Sequence, residues 1–474
     1  MSLPASLTAL SRDDLGKLVL EQQHHIAVLT AKVEALQAEV ERLKREGQRQ
    51  AAPFSKGTRV AAPKKPGRKP GKGLFRYRAA PERAPLPGSS LEVPVTLRAC
   101  PACGGRLVAA GIEIASITEL PAAVRPHVRQ FRVAVSQCRG CGRRVRGQHP
   151  ELAPDQYGAT AHRVGDRVMA SAHVLHYGLG VPLRKVPAVL RELTGVQVTQ
   201  SALTQDAQRR ATGSVGAVYE HLRARVPEAD TVHTDDTGWR VGGEPAQLMA
   251  FETAAVTVYQ IRARHRNAEV REVIPADYAG VLVTDRGRSY DASELAGVRQ
   301  QKCLAHIQRA LSTVLAQQHG PARAFSHRLK GLFRQAIEVW HAYHHGQRTG
   351  FAAQAQHLKD AITHHLRDRP LKDPDNRRLL NELGWHHDRG NLLRFLDDPR
   401  IEPTNNRAER ALRPAVIARK VSQCSKTARG ANAFAAFTSV VRTLAKTGTG
   451  ALVDGLLHVF RSAKLPDTSA EVCH

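Results

Sequence analysis

The stretch DTVHTDDTGWRVG, residues 230–242, is where the chain changes its pattern. What precedes it reads as helix. From here on, strand-like runs continue through AQLMAFET (246–253) and VTVYQIRA (256–263). A helix-like stretch, NAEVREVIPADY (267–278), comes next. It leads into GVLVTD (280–285), a nearly continuous apolar run of the kind a strand covered on both faces requires. Three strands, a helix and a fourth strand predict a mixed α/β sheet. Asp235 is expected at the end of the first strand and Asp285 at the end of the fourth. Sheets of this class carry functional groups at strand ends, so the two aspartates can face one point.

A third carboxylate comes from PTNNRAERALRP, residues 403–414, where Glu409 stands among Arg407, Arg410 and Arg413. Two readings are open. Glu409 is three residues after Asn406 and can close a capping box with Asn406 as the N-cap, or it can hold a metal ion. Three carboxylates at one point repel unless cations neutralise them, and hard oxygen donors suit Mg²⁺ or Mn²⁺. Two such ions roughly 4 Å apart activate a water or a 3′-hydroxyl and stabilise the departing oxygen of an in-line displacement. Each acid also has a plainer reading. Asp235 and its neighbour Asp236 can be turn residues before Gly238, and Asp285 can be a turn residue before RGRSYD. The order of the elements favours reading the three acids together.

Composition supports work on a polyanion. The 474 residues include 70 Lys plus Arg against 43 Asp plus Glu, a net charge of +27, and nucleic acid is the first partner to consider. No basic amphipathic helix with bulky aromatics suggests a membrane surface instead. No run of 18 apolar residues and no signal-like N-terminus stand out, so a soluble cytoplasmic protein is expected. Val19, Ile26, Val33 and Val40 alternate at heptad spacing with Leu15, Leu29, Leu36 and Leu43, and Gln22 is the polar exception. β-branched a positions with Leu at d predict a parallel two-stranded coiled coil over 11–46, and so a homodimer. Residues 47–81 contain no acid and ten cations, among them Lys64, Lys65, Arg68, Lys69 and Lys72 in a Pro/Gly-rich run. They read as an extended basic arm that contacts phosphates.

Of the seven cysteines, four form two Cys-x-x-Cys pairs, Cys100–Cys103 and Cys138–Cys141, with 34 residues between the pairs. Each pair places two thiolates on a tight turn. The glycine that follows supplies the positive φ such turns need, so the pairs predict a structural Cys₄ zinc module over 95–150. Between them, VRPHVRQFRVAVSQC (124–138) alternates as a strand does. Residues 155–225 read as helical, with two helices about a turn at Gly195 and the second opened by Thr199 or Ser201. This is a helix-turn-helix or an ordinary helical hairpin. Residues 301–400 are helical and rich in histidine. Adjacent pairs such as His344–His345 and His386–His387 cannot share one helix face, which favours solvated or structural roles over a second metal site. In the last segment, 401–474, GANAFAAFTSVVRTLAKTG reads as a helix with Phe434, Phe437, Val440, Val441 and Leu444 inward.

HTDDTGWRV, GVLVTDRGRSYD, QKCLAHIQRAL and PTNNRAERALRPAVIARK together resemble the motifs of the insertion-sequence-66 family of transposases. The family pattern has Asp-Glu-Thr-Gly-Trp, a later aspartate after an apolar strand, Cys-x-Ala-His-x-x-Arg, and Asn-Asn-x-x-Glu-Arg with a following Arg-Lys. The resemblance implies a ribonuclease-H-like catalytic core in two parts, 228–300 and 401–474, with 301–400 inserted. It implies Asp235, Asp285 and Glu409 as the catalytic, Mg²⁺-binding acids, and it matches Cys303, His306 and Arg309 to the Cys-x-Ala-His-x-x-Arg element. Asp236 stands where the family has Glu, which leaves Asp235 or Asp236 as the ligand, Asp235 being preferred. The implied activity is cleavage at terminal inverted repeats and joining of 3′-hydroxyls to target DNA, at the nucleoid of a prokaryotic cell and with accessory proteins of the same element. Arg407, Arg410, Arg413, Arg419 and Lys420 are the expected phosphate contacts. A nuclease that does not join, or a DNA-binding regulator derived from a transposase, are the competing readings.

Overall fold

The structure, a computed structural model, describes residues 11, 13, 16, 19–31, 33, 34, 99, 101–106, 108, 124–153, 155–158, and 162–466 other than 368, 369 and 449. The chain divides into two compact units, Met1–Leu120 and Pro121–His474. In the first, residues 19–31 are helical, and Val19, Ile26, Leu29 and Val33 are each at least half exposed, so this part of the heptad seam faces solvent. The basic arm with Lys64, Lys65, Arg68, Lys69 and Lys72, and also Cys100, lie outside the described residues. Cys103 is exposed, and Gly104 after it has φ +72°.

The second unit opens on a small antiparallel pair, β1 (Val135–Gln137) and β2 (Arg144–Arg146). The Cys138–Cys141 turn joins them. Cys138 N–H donates to Arg143 O at 2.8 Å, Gly142 N–H donates to Cys138 O at 2.9 Å, and Gly142 has φ +68°. Both glycines after the Cys-x-x-Cys pairs therefore adopt the left-handed backbone that the spacing called for. The alternation over 124–138 gives a much shorter strand than it suggested. Only the three residues nearest the turn are in a strand, because β2 is itself only three residues long.

Four helices follow: α1 (Asp166–His173), which runs into a π turn at Val174–Gly178, α2 (Val186–Thr194), α3 (Gln200–Ala211) and α4 (Ser214–Arg225). α2 ends at Gly195, with φ +73°. Thr199 opens α3, its Oγ1 accepting from Ala202 N–H at 3.2 Å, so the turn and the cap are where the sequence put them.

The central sheet has β3 (Thr231–Val241), β4 (Glu244–Glu252), β5 (Thr257–Arg262), β6 (Val281–Thr284) and β7 (Arg299–Lys302) in the order β5-β4-β3-β6-β7. The first three form an antiparallel meander, and β6 and β7 add in parallel. A short helix, α5 (Asn267–Arg271), lies on the β5-to-β6 crossover. Every residue of β6 is buried, as its unbroken apolar run requires. β7 escapes a reading based on apolar residues because its sequence is Arg-Gln-Gln-Lys. Its buried glutamines donate to carbonyls, Gln300 to Tyr290 O at 2.6 Å and Gln301 to Leu392 O at 2.9 Å.

Between β7 and the last acid stand α6 (Leu304–Gln317), α7 (Arg323–His344), α8 (Phe351–His365), α9 (Pro374–Asp388) and the single turn α10 (Arg394–Asp397). They enclose a core of their own, with Leu311, Phe333, Ile362, Leu383 and Phe395, into which β6 sends Val281 and Val283. Two of their histidines brace the backbone: His344 meets Pro399 O at 2.8 Å and His365 meets Phe325 O at 2.9 Å.

The chain ends with α11 (Asn406–Ser422), α12 (Ala428–Thr447) and α13 (Leu452–Ser462). All five inner-face residues expected on α12 are buried. Its Ser439 and Thr443 hydroxyls also accept from Tyr259 N–H (2.8 Å) and Thr257 N–H (3.1 Å), which covers the open edge of β5. α12 belongs to a larger core shared by Ala170, Leu203 and Val218 of the first helices and Leu248 and Phe251 of the sheet. The helical region at 155–225 is thus part of the sheet's own packing. Among the described residues, no helix is long and apolar enough to cross a membrane.

Candidate active site

The parallel register brings the two aspartates level. Thr231, Val232 and His233 of β3 pair with Val281, Leu282 and Val283 of β6, and Asp235 and Asp285 each lie two residues beyond the last pair. Two residues along a strand return to the same face, and neighbouring strands run about 4.8 Å apart. Contrary to expectation, β3 does not end at Asp235. β4 partners it all the way to Val241, and what stops near Asp235 is the pairing with β6. The opening between the two strands is where the acids sit.

Asp235 is pushed up to about 7, chiefly because it is buried and further because the Asp285, Asp236 and Glu409 carboxylates lie near it. The Asp236 N–H, which donates to Asp235 Oδ1 at 2.9 Å, opposes this only in part. Asp285 accepts from Gly287 N–H at 2.8 Å, which closes the turn after β6. Asp236 points the other way, as the alternation of a strand demands. Its Oδ1 lies 2.9 Å from His265 Nδ1, beside Tyr290, whose hydroxyl is 3.4 Å from Thr234 Oγ1. Asp285 and Glu409 thus stand among the charges that raise Asp235, whereas Asp236 is paired with His265.

Glu409 arrives on the first turn of α11, but no capping box forms with Asn406. Asn405 is the N-cap, Asn406 is the first helical residue, and no side chain caps the helix. Asn405 instead turns its side chain toward the sheet. Fully buried, it donates from Nδ2 to Thr234 O at 2.7 Å and from its backbone N–H to Cys303 Sγ at 3.1 Å. Thr234 is the residue before Asp235, and Cys303 starts α6. One asparagine therefore ties the β3 strand, the β7–α6 junction and the helix of the third acid together. The Glu409 carboxylate is left to face α6, where Arg309 Nη2 lies 3.3 Å and His306 Nδ1 3.9 Å from Oε1. Cys303, His306 and Arg309 thus act as one element, with Cys303 seating Asn405 and the other two facing Glu409. Burial pushes the Cys303 thiol up, as befits an acceptor of a backbone bond rather than a nucleophile.

Lys302 lies directly behind the Asp285 turn and is fully buried. Its Nζ is 2.7 Å from Asp291 Oδ1 and 3.2 Å from the Oγ1 of Thr284, the residue before Asp285. Burial pulls its pKa down, while the Asp291 and Asp285 charges pull against that. The same turn is anchored to the inserted helices through Arg286 and Glu382, 2.7 Å apart. The sequence reading missed Lys302 and Asn405, although both stand inside the quoted motifs, next to Cys303 and Asn406. Neither carries a signal of its own: a lysine ending a polar strand and one of two adjacent asparagines have the letters of surface residues.

Of the cations expected to meet DNA, Arg407 is bonded to Glu402 (2.8 Å), and Arg419 bonds Thr237 Oγ1 (3.2 Å) and Gly238 O. Arg410, Arg413 and Lys420 are exposed on α11. Among the described residues, no three His, Cys, Asp or Glu side chains are gathered as a metal cage. Asp235, Asp285 and Glu409 are instead electrostatic neighbours, with Glu409 turned toward Arg309. The donor set nonetheless fits a hard divalent cation: all are carboxylate oxygens, and the Asp285, Asp236 and Glu409 charges add to burial in raising Asp235, a repulsion such an ion relieves.

Residues 162–433 match the family described as Transposase IS66 family. A protein of Sinorhizobium fredii (strain NBRC 101917 / NGR234), named Uncharacterized protein y4hP, is 23% identical over 416 residues, which cover 77% of this chain and 71% of that protein. The family match spans the sheet, the inserted helices and the whole of α11, more than half of the chain. This chain therefore belongs to the IS66 family of transposases.

Proposed function

We propose that the protein cuts DNA at the ends of an insertion sequence and joins the freed 3′-hydroxyls to a target, using Asp235, Asp285 and Glu409 as its catalytic acids. The observation that carries this reading is that Asp235 and Asp285 lie level across β3 and β6, and that Asp285 and Glu409, from remote segments, are both near enough to Asp235 to raise it further after burial. The β5-β4-β3-β6-β7 order, an antiparallel meander extended in parallel, supports a ribonuclease-H-like core. Mg²⁺ or Mn²⁺ held by these acids would supply activation of the attacking water or 3′-hydroxyl and charge relief at the departing oxygen. The chain's own part is positional. Asn405 sets where α11 begins and hence where Glu409 sits, the Gly287 N–H orients Asp285, and Arg309 holds Glu409 and is a cation at hand for phosphate oxygens.

Other parts of the reading extend it outward. Terminal repeats would be gripped by the basic arm at 47–81, by the exposed cations of α11, and by α3 if the α2–α3 pair serves as a helix-turn-helix. Cys100, Cys103, Cys138 and Cys141 would hold a structural Zn²⁺. The solvent-facing heptad residues would pair two copies, and accessory proteins of the element would complete the assembly. The test is an in-vitro joining assay on oligonucleotides from the DNA flanking the gene, with and without Mg²⁺. Joined product should require the metal, and Asp235→Asn and Glu409→Gln should bind DNA nearly as wild type does yet join nothing. Cutting without joining would mean a nuclease, and undiminished joining by either variant would remove that residue from the mechanism.

A further inference from the structure

A second feature of α11 lies away from the acids. The helix, the β4–β5 connection and α12 enclose a cleft of about 340 Å³ whose walls include Arg407, Arg410, Arg442, Lys446, Glu252 and Tyr259. Four cations face one carboxylate, and two of the four are already neutralised. Lys446 Nζ lies 2.7 Å from Glu252 Oε1 and donates to Thr253 O (2.7 Å) and Val256 O (3.0 Å), which uses all three of its donors. Glu252 also takes the Thr257 hydroxyl at 2.6 Å, and Arg407 is held by Glu402. Arg410 and Arg442 remain. Neither forms an ion pair among the described residues. Arg442 is half-buried, and its guanidinium meets the Tyr259 hydroxyl, whose own proton goes to Ala411 O at 2.5 Å.

A partly desolvated guanidinium without a carboxylate is costly unless an anion completes it. Two guanidinium forks at one cleft match the oxygens of a phosphate better than a point charge would. The place is also telling. Arg410 follows Glu409 directly on α11, and Glu252 pairs across the sheet with His233, two residues before Asp235. The cleft and the acids thus share α11 and the β3–β4 pair.

We propose that the cleft between α11, α12 and the β4–β5 connection is a phosphodiester subsite, in which Arg410 and Arg442 grip one backbone phosphate of the DNA strand being processed. This rests on the DNA-cutting reading above and adds to it a second point of grip on the helix that carries Glu409.

The test uses the full chain and a duplex of the DNA flanking the gene, with single phosphates replaced one at a time by uncharged methylphosphonates. One position should weaken wild-type binding by about tenfold, the worth of a charge-assisted bond pair. Arg410→Gln/Arg442→Gln should bind about tenfold more weakly, should be indifferent to the substitution at that position, and should show a salt slope shallower by about 0.9. The phosphate scan on wild type needs no variant, so a poorly folding variant does not spare the idea. A scan with no sensitive phosphate overturns it, as does a variant that keeps the wild-type pattern. Titration with inorganic phosphate separates a free-anion pocket: saturable binding of phosphate alone, with a featureless DNA scan, also counts against the proposal. If wild type neither binds nor joins the flanking DNA, the DNA-cutting reading falls and takes the cleft with it. If it binds and joins while the scan is flat, only the cleft falls.

Discussion

Asp235→Asn should make the metal-free protein more stable at neutral pH. In the folded protein the Asp235 carboxyl is pushed up to about 7 from its ordinary 3.8, by burial first and by the Asp285, Asp236 and Glu409 charges after that. Below about pH 4 the group is protonated in both folded and unfolded chains and contributes nothing to the difference. From there to about pH 7 the unfolded chain releases its proton while the folded one keeps it, so stability falls as pH rises. Above pH 7 the penalty is complete. Roughly three pH units at about 1.4 kcal/mol each make about 4 kcal/mol, and water at this partly exposed carboxylate trims that to roughly 2–4 kcal/mol. Asparagine keeps the shape and removes the charge, so it should recover that amount at pH 8 and little at pH 4. Urea unfolding of both proteins across this range, in EDTA, measures the gain. Repeating the series with Mg²⁺ should stabilise wild type above pH 7 and leave the variant nearly unchanged. A variant no more stable than wild type at pH 8, or a gain as large at pH 4 as at pH 8, refutes the account of crowded, buried carboxylates.

Three further outcomes follow from the same neighbourhood. Lys302→Met strands Asp291 beside a fully buried site and should cost about 3–5 kcal/mol. Adding Asp291→Leu should return much of that, and a cost below about 1 kcal/mol by urea midpoint would show that the pair does not hold the Asp285 turn. Asn405→Ala removes the donor to Thr234 O and should cost about 1–3 kcal/mol in thermal or urea unfolding. DNA joining in that variant should fall further than DNA binding, and equal losses would deny Asn405 a role in placing Glu409. The Cys141 backbone and side chain draw the Cys138 thiol down, whereas burial pushes Cys303 up. Iodoacetamide under native conditions, read by mass spectrometry, should therefore label Cys138 well before Cys303, and Zn²⁺ should slow the first only. The reverse order would contradict both placements.

What could be read in the sequence was whatever rests on local pattern. The meander, the buried run of β6, the Gly195 turn and Thr199 cap, and the inner face of α12 all follow from periodicity and turn chemistry. β7 was hidden because its buried residues are two glutamines and a lysine, paired to atoms up to 91 positions away. The capping box failed for a related reason. Asn405 and Asn406 are chemically identical, and only tertiary contacts to Thr234 and Cys303 decide which of them precedes the helix. Asp235 and Asp236 are equally ambiguous as letters. Their tertiary partners differ, Asp236 pairing with His265 from beyond β5, and such partners are not legible in the local sequence.

The double attachment of Asn405 bears on how copies of the gene decay. A polypeptide that stops short of residue 405 has both strand-borne aspartates but lacks the third acid and the amide that clasps the Thr234 carbonyl. Frameshifts and stop codons anywhere ahead of the codon for Asn405 therefore yield products with an unfinished pocket. On the proposed DNA-cutting reading, any such truncation disarms the product, however much of the preceding chain it retains.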